Sequence, residues 1–212
     1  MFLFTLRHNK SAYYTDFAAY TTVVVLMAAW LLQQPGGQAL RLTATVVAGL
    51  AGWSLAEYLL HRFVLHGLAP FKQWHAAHHQ HPSALICTPL LLSGSLIALL
   101  VAFPAWWLLD SAAACALTLG FVAGYLGYSA THHAIHHWRS RGAWLRERKS
   151  AHALHHHAAQ SCWFGVTSSG WDRAFQSIGA LPDSLRIRPA VSRKGAARIR
   201  RESGQRARWG GS

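Results

Sequence analysis

Four long apolar stretches dominate the chain, at about residues 13–32, 39–60, 84–109 and 112–131. Each is near the twenty or so residues a helix needs to cross the hydrocarbon core of a bilayer. The first is apolar apart from Asp16 near its start, and the second carries Arg41 early and Glu57 late. The third is interrupted by Pro89 and Pro104 and ends near Trp106 and Trp107, residues suited to a membrane interface. Polar or helix-breaking segments separate them: QQPGGQ (33–38), then Gly67 and Pro70, then Asp110 and Ser111, either of which can cap the helix that follows. Gly120, Gly124 and Gly127 in the fourth stretch suit close helix packing. The pattern predicts an all-α integral membrane fold of four transmembrane helices in two hairpins.

Beyond the fourth stretch the chain is too polar to span. Residues 143–179 read as a helical cap apposed to the membrane, and 183–212, rich in Arg, Gly, Ser and Ala, as a disordered basic tail. The membrane domain is thus expected to occupy 1–182. Composition agrees: 52% of residues are hydrophobic and 13% charged, against about a quarter charged in soluble domains. The net charge of +13 is uneven, since nine of the twenty Lys and Arg lie after residue 183. No nucleic-acid recognition motif accompanies that charge, so nucleic acid is not an expected partner and anionic lipid headgroups suit it better. Cys87, Cys115 and Cys162 form no CxxC pair, which fits a reducing compartment or membrane burial. The first apolar run continues to spanning length without a small-residue cleavage site, so no cleavable signal is expected.

Charge also orients the helices. Arg7 and Lys10 precede the first span, Arg62 and Lys72 follow the second, and Arg139, Arg141, Arg146, Arg148 and Lys149 follow the fourth. The opposite turns carry only Arg41 and Asp110. The excess of positive charge on cytoplasmic loops then assigns both termini to the cytoplasmic side.

That side is where the histidines gather. Fourteen of the fifteen fall between residues 61 and 157, in four clusters: His61 with His66, His75 to His81, His132 to His137, and His152 to His157. Neutral imidazole is a common ligand for zinc, iron and copper. His75, His78 and His79 stand at i, i+3 and i+4, one face of a helix, and His152, His155 and His156 repeat the pattern. In the third cluster, His132/His136 and His133/His137 are both i, i+4 pairs, and spacing does not choose between them. His61 and His66 are about 140° apart on an α-helix, so sharing a metal needs a distorted helix end, which Gly67 can permit. Because an even number of spans separates the clusters, all four can meet. So many nitrogens exceed the four that zinc usually takes, which argues for two metals. Glu57, one turn before His61, is a candidate to hold the free ring nitrogen of that histidine, and Asp172 invites the same question. A two-metal, all-nitrogen site at a membrane surface suits iron and oxygen chemistry on a lipid. A non-catalytic zinc-binding membrane protein is the alternative from another class.

EYLLHRFVLH (57–66), HAAHH (75–79), YSATHHAIHH (128–137) and HALHHHAAQSCWFGVTSSGWDRAF (152–175) resemble, in order and spacing, the histidine boxes of the membrane fatty acid hydroxylase/sterol desaturase superfamily. The last box is most similar to that of the fatty acid 2-hydroxylases. The resemblance implies the metal ligands His61, His66, His75, His78, His79, His132, His136, His152, His155 and His156, and so selects the His132/His136 frame. His81, His133, His137 and His157 are extras to it. It also implies a dimetal centre (iron for activity, zinc a possible occupant) held by a cytoplasmic helical cap. The implied reaction is O2-dependent hydroxylation of a fatty acyl chain or related membrane lipid; a carotenoid, sterol or alkyl lipid is the alternative substrate. Pro35-Gly36-Gly37 is similar to the haem loop of cytochrome b5 but lacks a flanking histidine and reads as a turn. Electrons are therefore expected from a separate donor, whether cytochrome b5-like, ferredoxin-like or a reductase.

Overall fold

A computed structural model describes residues 10–86, 88–139, 142–157 and 162–179. The basic segment 183–212, expected to be a disordered tail, lies outside the described residues. The described chain is all but wholly helical: α1 (Lys10–Leu31), α2 (Ala39–Leu59), α3 (Phe71–Gln80), α4 (Leu90–Ile97), α5 (Phe103–Leu108), α6 (Ser111–His137), α7 (Ala143–His157) and α8 (Gly170–Ala174). A π-helical segment, Leu60–Leu65, extends α2, and another, Ala98–Ala102, joins α4 to α5.

Among the described residues, four stretches are long and apolar enough to cross a membrane: Lys10–Leu31, Gly36–Leu65, Leu90–Leu108 and Ser111–His137. The third begins later than its hydrophobicity suggests, because Pro89 adopts an extended conformation and caps the helix instead of continuing it. The fourth runs further, and its last turns carry histidines.

The hub is α6. Within its apolar window 44% of residues are buried, against 6% for α1. α2 packs chiefly along α6 and not along its neighbour in sequence, α1, so α6 unites the expected hairpins. Two glycines make this possible. A Cβ on Gly120 would lie 2.0 Å from the Val46 carbonyl oxygen, and one on Gly49 would lie 2.2 Å from that of Leu117. The two backbones therefore touch, as close packing through small residues allows. Gly124 sits against the Trp53 side chain, whereas Gly127 faces open space. Ala112, Ala113, Ala114 and Ala116 are buried on α6, while Leu91, Leu99, Leu100, Trp106, Trp107 and Leu108 are exposed. Small residues inside and large apolar ones outside suit a lipid surround.

Two contacts fix the directions of the helices. At one end Asp110 caps α6 by accepting from the Ala112 and Ala113 amides (3.1 and 3.0 Å) and pairs with Arg41 near the start of α2. The Arg41 guanidinium first, and those amides next, hold the Asp110 carboxyl down at about 2. At the other end the Tyr13 hydroxyl, at the start of α1, lies 3.1 Å from His133 Nδ1 near the end of α6. Thus α2 and α6 run parallel, α1 runs antiparallel to them, and the histidine-bearing ends of α2 and α6 meet.

Candidate metal centre

Where α2 becomes π-helical, its turn widens. The i to i+5 hydrogen-bond pattern of a π-turn brings residues five apart onto nearly the same face. That is the distortion His61 and His66 need, and their rings stand 5.3 Å apart, centre to centre. Gly67 closes the segment, and a Cβ there would sit 2.2 Å from the Phe63 carbonyl oxygen.

The ten histidines of the four boxes converge, but not box by box. His61, His66, His75 and His155 form one group and His78, His136, His152 and His156 another; within each, one nitrogen per ring lies within 4.8 Å of all the others. His79 Nε2 joins the first group, 3.0 Å from His75 Nε2, and His132 Nε2 joins the second, 3.1 Å from His78 Nε2. Hence α3 divides its three histidines between the groups, and so does α7. The i, i+4 pair of each helix goes to one group and the remaining residue to the other. His133 and His137 lie against each other at 4.6 Å on another face of α6, which distinguishes the two frames left open by spacing. His81, His137 and His157 are exposed.

The donor set fits a cation. Nε2 atoms face one another at 3.0 Å for His61 and His75, 3.0 Å for His66 and His155, 2.9 Å for His136 and His152, and 3.0 Å for His152 and His156. Two nitrogens about 2.1 Å from one metal and at right angles to each other are about 3.0 Å apart, whereas tetrahedral ones are about 3.4 Å apart. Approaches this close suit rings that share one cation. Tautomers agree where partners define them. His155 Nδ1 lies 2.7 Å from the Cys162 carbonyl oxygen and His61 Nδ1 lies 2.5 Å from that of Phe164, so each ring donates there and keeps its Nε2 lone pair for the centre.

The rings are also held neutral, the form that binds metal. Burial first, and neighbouring charge next, push His66 down to about 4 and His78 to about 3. Burial likewise holds His155 at about 3, against the opposing effect of its bond to Cys162. His156 falls to about 2, and His75, His79 and His152 are lowered as well.

Glu57 does not reach the ring it was expected to hold, since His61 Nδ1 is taken by the Phe164 carbonyl. The Glu57 carboxylate instead accepts from Val166 N (2.8 Å), Thr167 N (2.9 Å) and Thr167 Oγ1 (2.6 Å). Asp172, fully buried, accepts from Phe164 N (2.8 Å), Gly165 N (2.9 Å) and Ser177 Oγ (2.8 Å). Both carboxylates thus hold the 164–167 backbone, one step behind the rings. Side-chain spacing carries no sign of a carbonyl partner, which is why sequence reading missed Cys162 and Phe164.

A cleft of about 100 Å3 meets the histidines at His75, His78 and His132. Its walls include Tyr13, Phe17, Phe71, Trp74, Tyr125 and Tyr128, from α1, α3 and α6. The Tyr128 ring lies nearly parallel to His132 at 5.9 Å.

Comparison with known proteins gives a consistent picture. Residues 46–177 match the family model described as fatty acid hydroxylase. A dihydroceramide fatty acyl 2-hydroxylase of Arabidopsis thaliana is 34% identical over 152 residues, covering 65% of this chain and 60% of the plant protein. A ceramide very long chain fatty acid hydroxylase of Schizosaccharomyces pombe is 31% identical over 153 residues, 64% of this chain and 42% of the yeast protein. The human fatty acid 2-hydroxylase is 30% identical over 139 residues, 59% and 37% respectively. The chain thus spans about 60% of the plant relative's length and less of the others'. Among solved structures, full-length scs7p, with only its hydroxylase domain visible, superposes with a TM-score of 0.72 at 27% identity, covering 85% of this chain and 70% of that one.

Proposed function

The chain belongs to the fatty acid hydroxylase family, and from that premise we propose that it is an integral membrane, dimetal enzyme that hydroxylates a C–H bond of a fatty acyl chain. The observation that carries the proposal is the convergence of ten imidazoles in two groups, with three of the rings (His75, His78 and His132) meeting an aromatic cleft. His61, His66, His75, His79 and His155 would hold one metal, and His78, His132, His136, His152 and His156 the other. With iron bound, the centre would supply reductive activation of O2, one oxygen atom entering the C–H bond and the other leaving as water, with two electrons from a separate redox protein and two protons from solvent. Zinc is a possible occupant of the same sites.

The chain's own residues do the rest. Phe17, Phe71, Trp74 and Tyr125 offer an apolar passage for an alkyl chain and exclude water from the histidines at its end. The names of the relatives, which include dihydroceramide, ceramide and fatty acid 2-hydroxylases, support an acyl chain of a fatty acid or sphingolipid-like lipid. The distribution of Lys and Arg supports termini and histidines on the cytoplasmic side, where α3, α7 and α8 would form a cap over the spans.

The test is lipid mass spectrometry of cells producing the wild type, His155→Ala or His157→Ala, with metal content measured on each purified protein. A lipid heavier by one oxygen atom, present with the wild type and His157→Ala but absent with His155→Ala, is the expected result. Bound metal with no lipid change when O2 and reductant are supplied would favour a zinc-binding protein. An oxidised carotenoid, sterol or alkyl lipid would move the substrate assignment.

A further inference from the structure

The two histidine groups are backed differently. In the first, the Nδ1 atoms of His61 and His155 both end on carbonyls of one short loop, at Phe164 and Cys162. In the second, the Nδ1 atoms of His78 and His152 are buried and have no partner among the described residues. The difference lies in the loop between α7 and α8.

That loop turns sharply. Trp163 has φ of 56°, and a Cβ on Gly165 would lie 2.0 Å from the Ser168 carbonyl oxygen. Four successive amides, from residue 164 to residue 167, donate to only two side chains, Asp172 and Glu57. One of those contacts bears directly on a ligand. Gly165 N and the Phe164 carbonyl belong to the same peptide group; its N–H donates to Asp172 Oδ2, and its C=O accepts from His61 Nδ1. Negative charge on one side of a peptide strengthens the acceptor on the other, because hydrogen bonds in a chain polarise one another. The peptide that receives His155 is held in the same manner, its Trp163 N–H donating to the Ser177 carbonyl (3.0 Å), while Ser177 Oγ donates to Asp172.

We propose that Asp172 is a positioning residue for the first metal site alone, acting on His61 through the 164–165 peptide, and that Glu57 fixes the adjoining 166–167 turn. The inference rests on the reading that the two histidine groups each hold a metal. Loss of such an outer partner typically weakens metal binding by about 10- to 100-fold. The second site, where His78 and His152 Nδ1 have no partner among the described residues, keeps its affinity.

The test uses the full chain in detergent and a graded chelator challenge, with retained metal counted by mass spectrometry. His132→Ala/His136→Ala leaves the first site to be measured alone, and His66→Ala/His79→Ala leaves the second. Adding Asp172→Asn should weaken retention about 10- to 100-fold in the first background and leave it unchanged in the second. Equal weakening in both, or none in the first, would overturn the proposal. Glu57 gives an independent check. A glutamine keeps the oxygen that accepts from both amides, and its NH2 can donate to the Thr167 hydroxyl, so Glu57→Gln should retain the metal that Glu57→Ala loses. Equal loss in both variants would remove Glu57 from this role. If neither pair of histidine substitutions lowered the metal content of the wild type, the two-site reading itself would fail.

Discussion

A buried imidazole that keeps its proton on Nδ1, as His61 and His155 do, presents a bare lone pair at Nε2. The cost of protonating such rings gives the metal-free protein a definite response to acid. His66 sits at about 4 and His155 at about 3, both below the ordinary value of 6.5, so the unfolded chain binds protons that the folded chain refuses. Stability is therefore full above pH 6.5 and is lost as the pH falls from there toward about 3, levelling below the folded values. Proton competition for the ligands acts in the same direction when metal is bound. Thermal melting of the chelated protein at pH 7.5, 6 and 5 should show a steadily falling midpoint; a flat profile would contradict the burial of these rings. The residue types of the site were legible in the sequence because histidine is otherwise rare in apolar segments. Which ring joins which group was not, since α3 and α7 each serve both groups and that division depends on how the helices face one another.

Elements bring these residues together through two local features, a widened turn and a close crossing. The need for distortion between His61 and His66 could be read from their spacing, but not its form; a π-turn differs from an α-turn by where one extra residue is absorbed, and composition does not mark it. The crossing of α2 and α6 was half visible. Gly120 belongs to a run of glycines in the fourth span, but its partner Gly49 stands among ordinary small residues of the second. The crossing sets how far His61 lies from His132 and His136, so it should respond to added bulk. Gly120→Ala forces a methyl group against the Val46 carbonyl and should cost about 1–3 kcal/mol, as overpacking does. Gly127→Ala, with nothing within 4 Å, should be neutral or slightly stabilising, because alanine favours the helix. Thermal midpoints and metal content of the two variants check this pair, and equal behaviour would argue against backbone contact at Gly120.

At the scale of the molecule, the described residues that build or back the two groups lie between Glu57 and Ser177. The matched family region, 46–177, covers nearly the same stretch. A chain ending at Pro182 should therefore keep both metals and its activity, measured by metal analysis and by product formation; loss of metal from a folded truncation would extend the domain beyond 182. Four apolar helices of spanning length were legible from hydrophobicity, with most ends off by a few residues. The start of the third, beside Pro89, and the end of the fourth, at His137, are each off by about six. Hydrophobicity could not reveal that α6 is the centre, because that depends on small residues whose mean apolarity resembles that of the lipid-facing helices.

The absence of any carboxylate among the ten candidate donors has a consequence for how the protein would acquire metals. Cages of imidazole bind first-row cations in an order set by the ions themselves, with copper, nickel and zinc ahead of ferrous iron. Nothing in a ring of neutral nitrogens reverses that order. Selection would then rest on the geometry of the cage and on what the cell offers the chain as it folds. The histidines would fix the geometry of the centre, and its elemental identity would record the metal supply of the cell that made it.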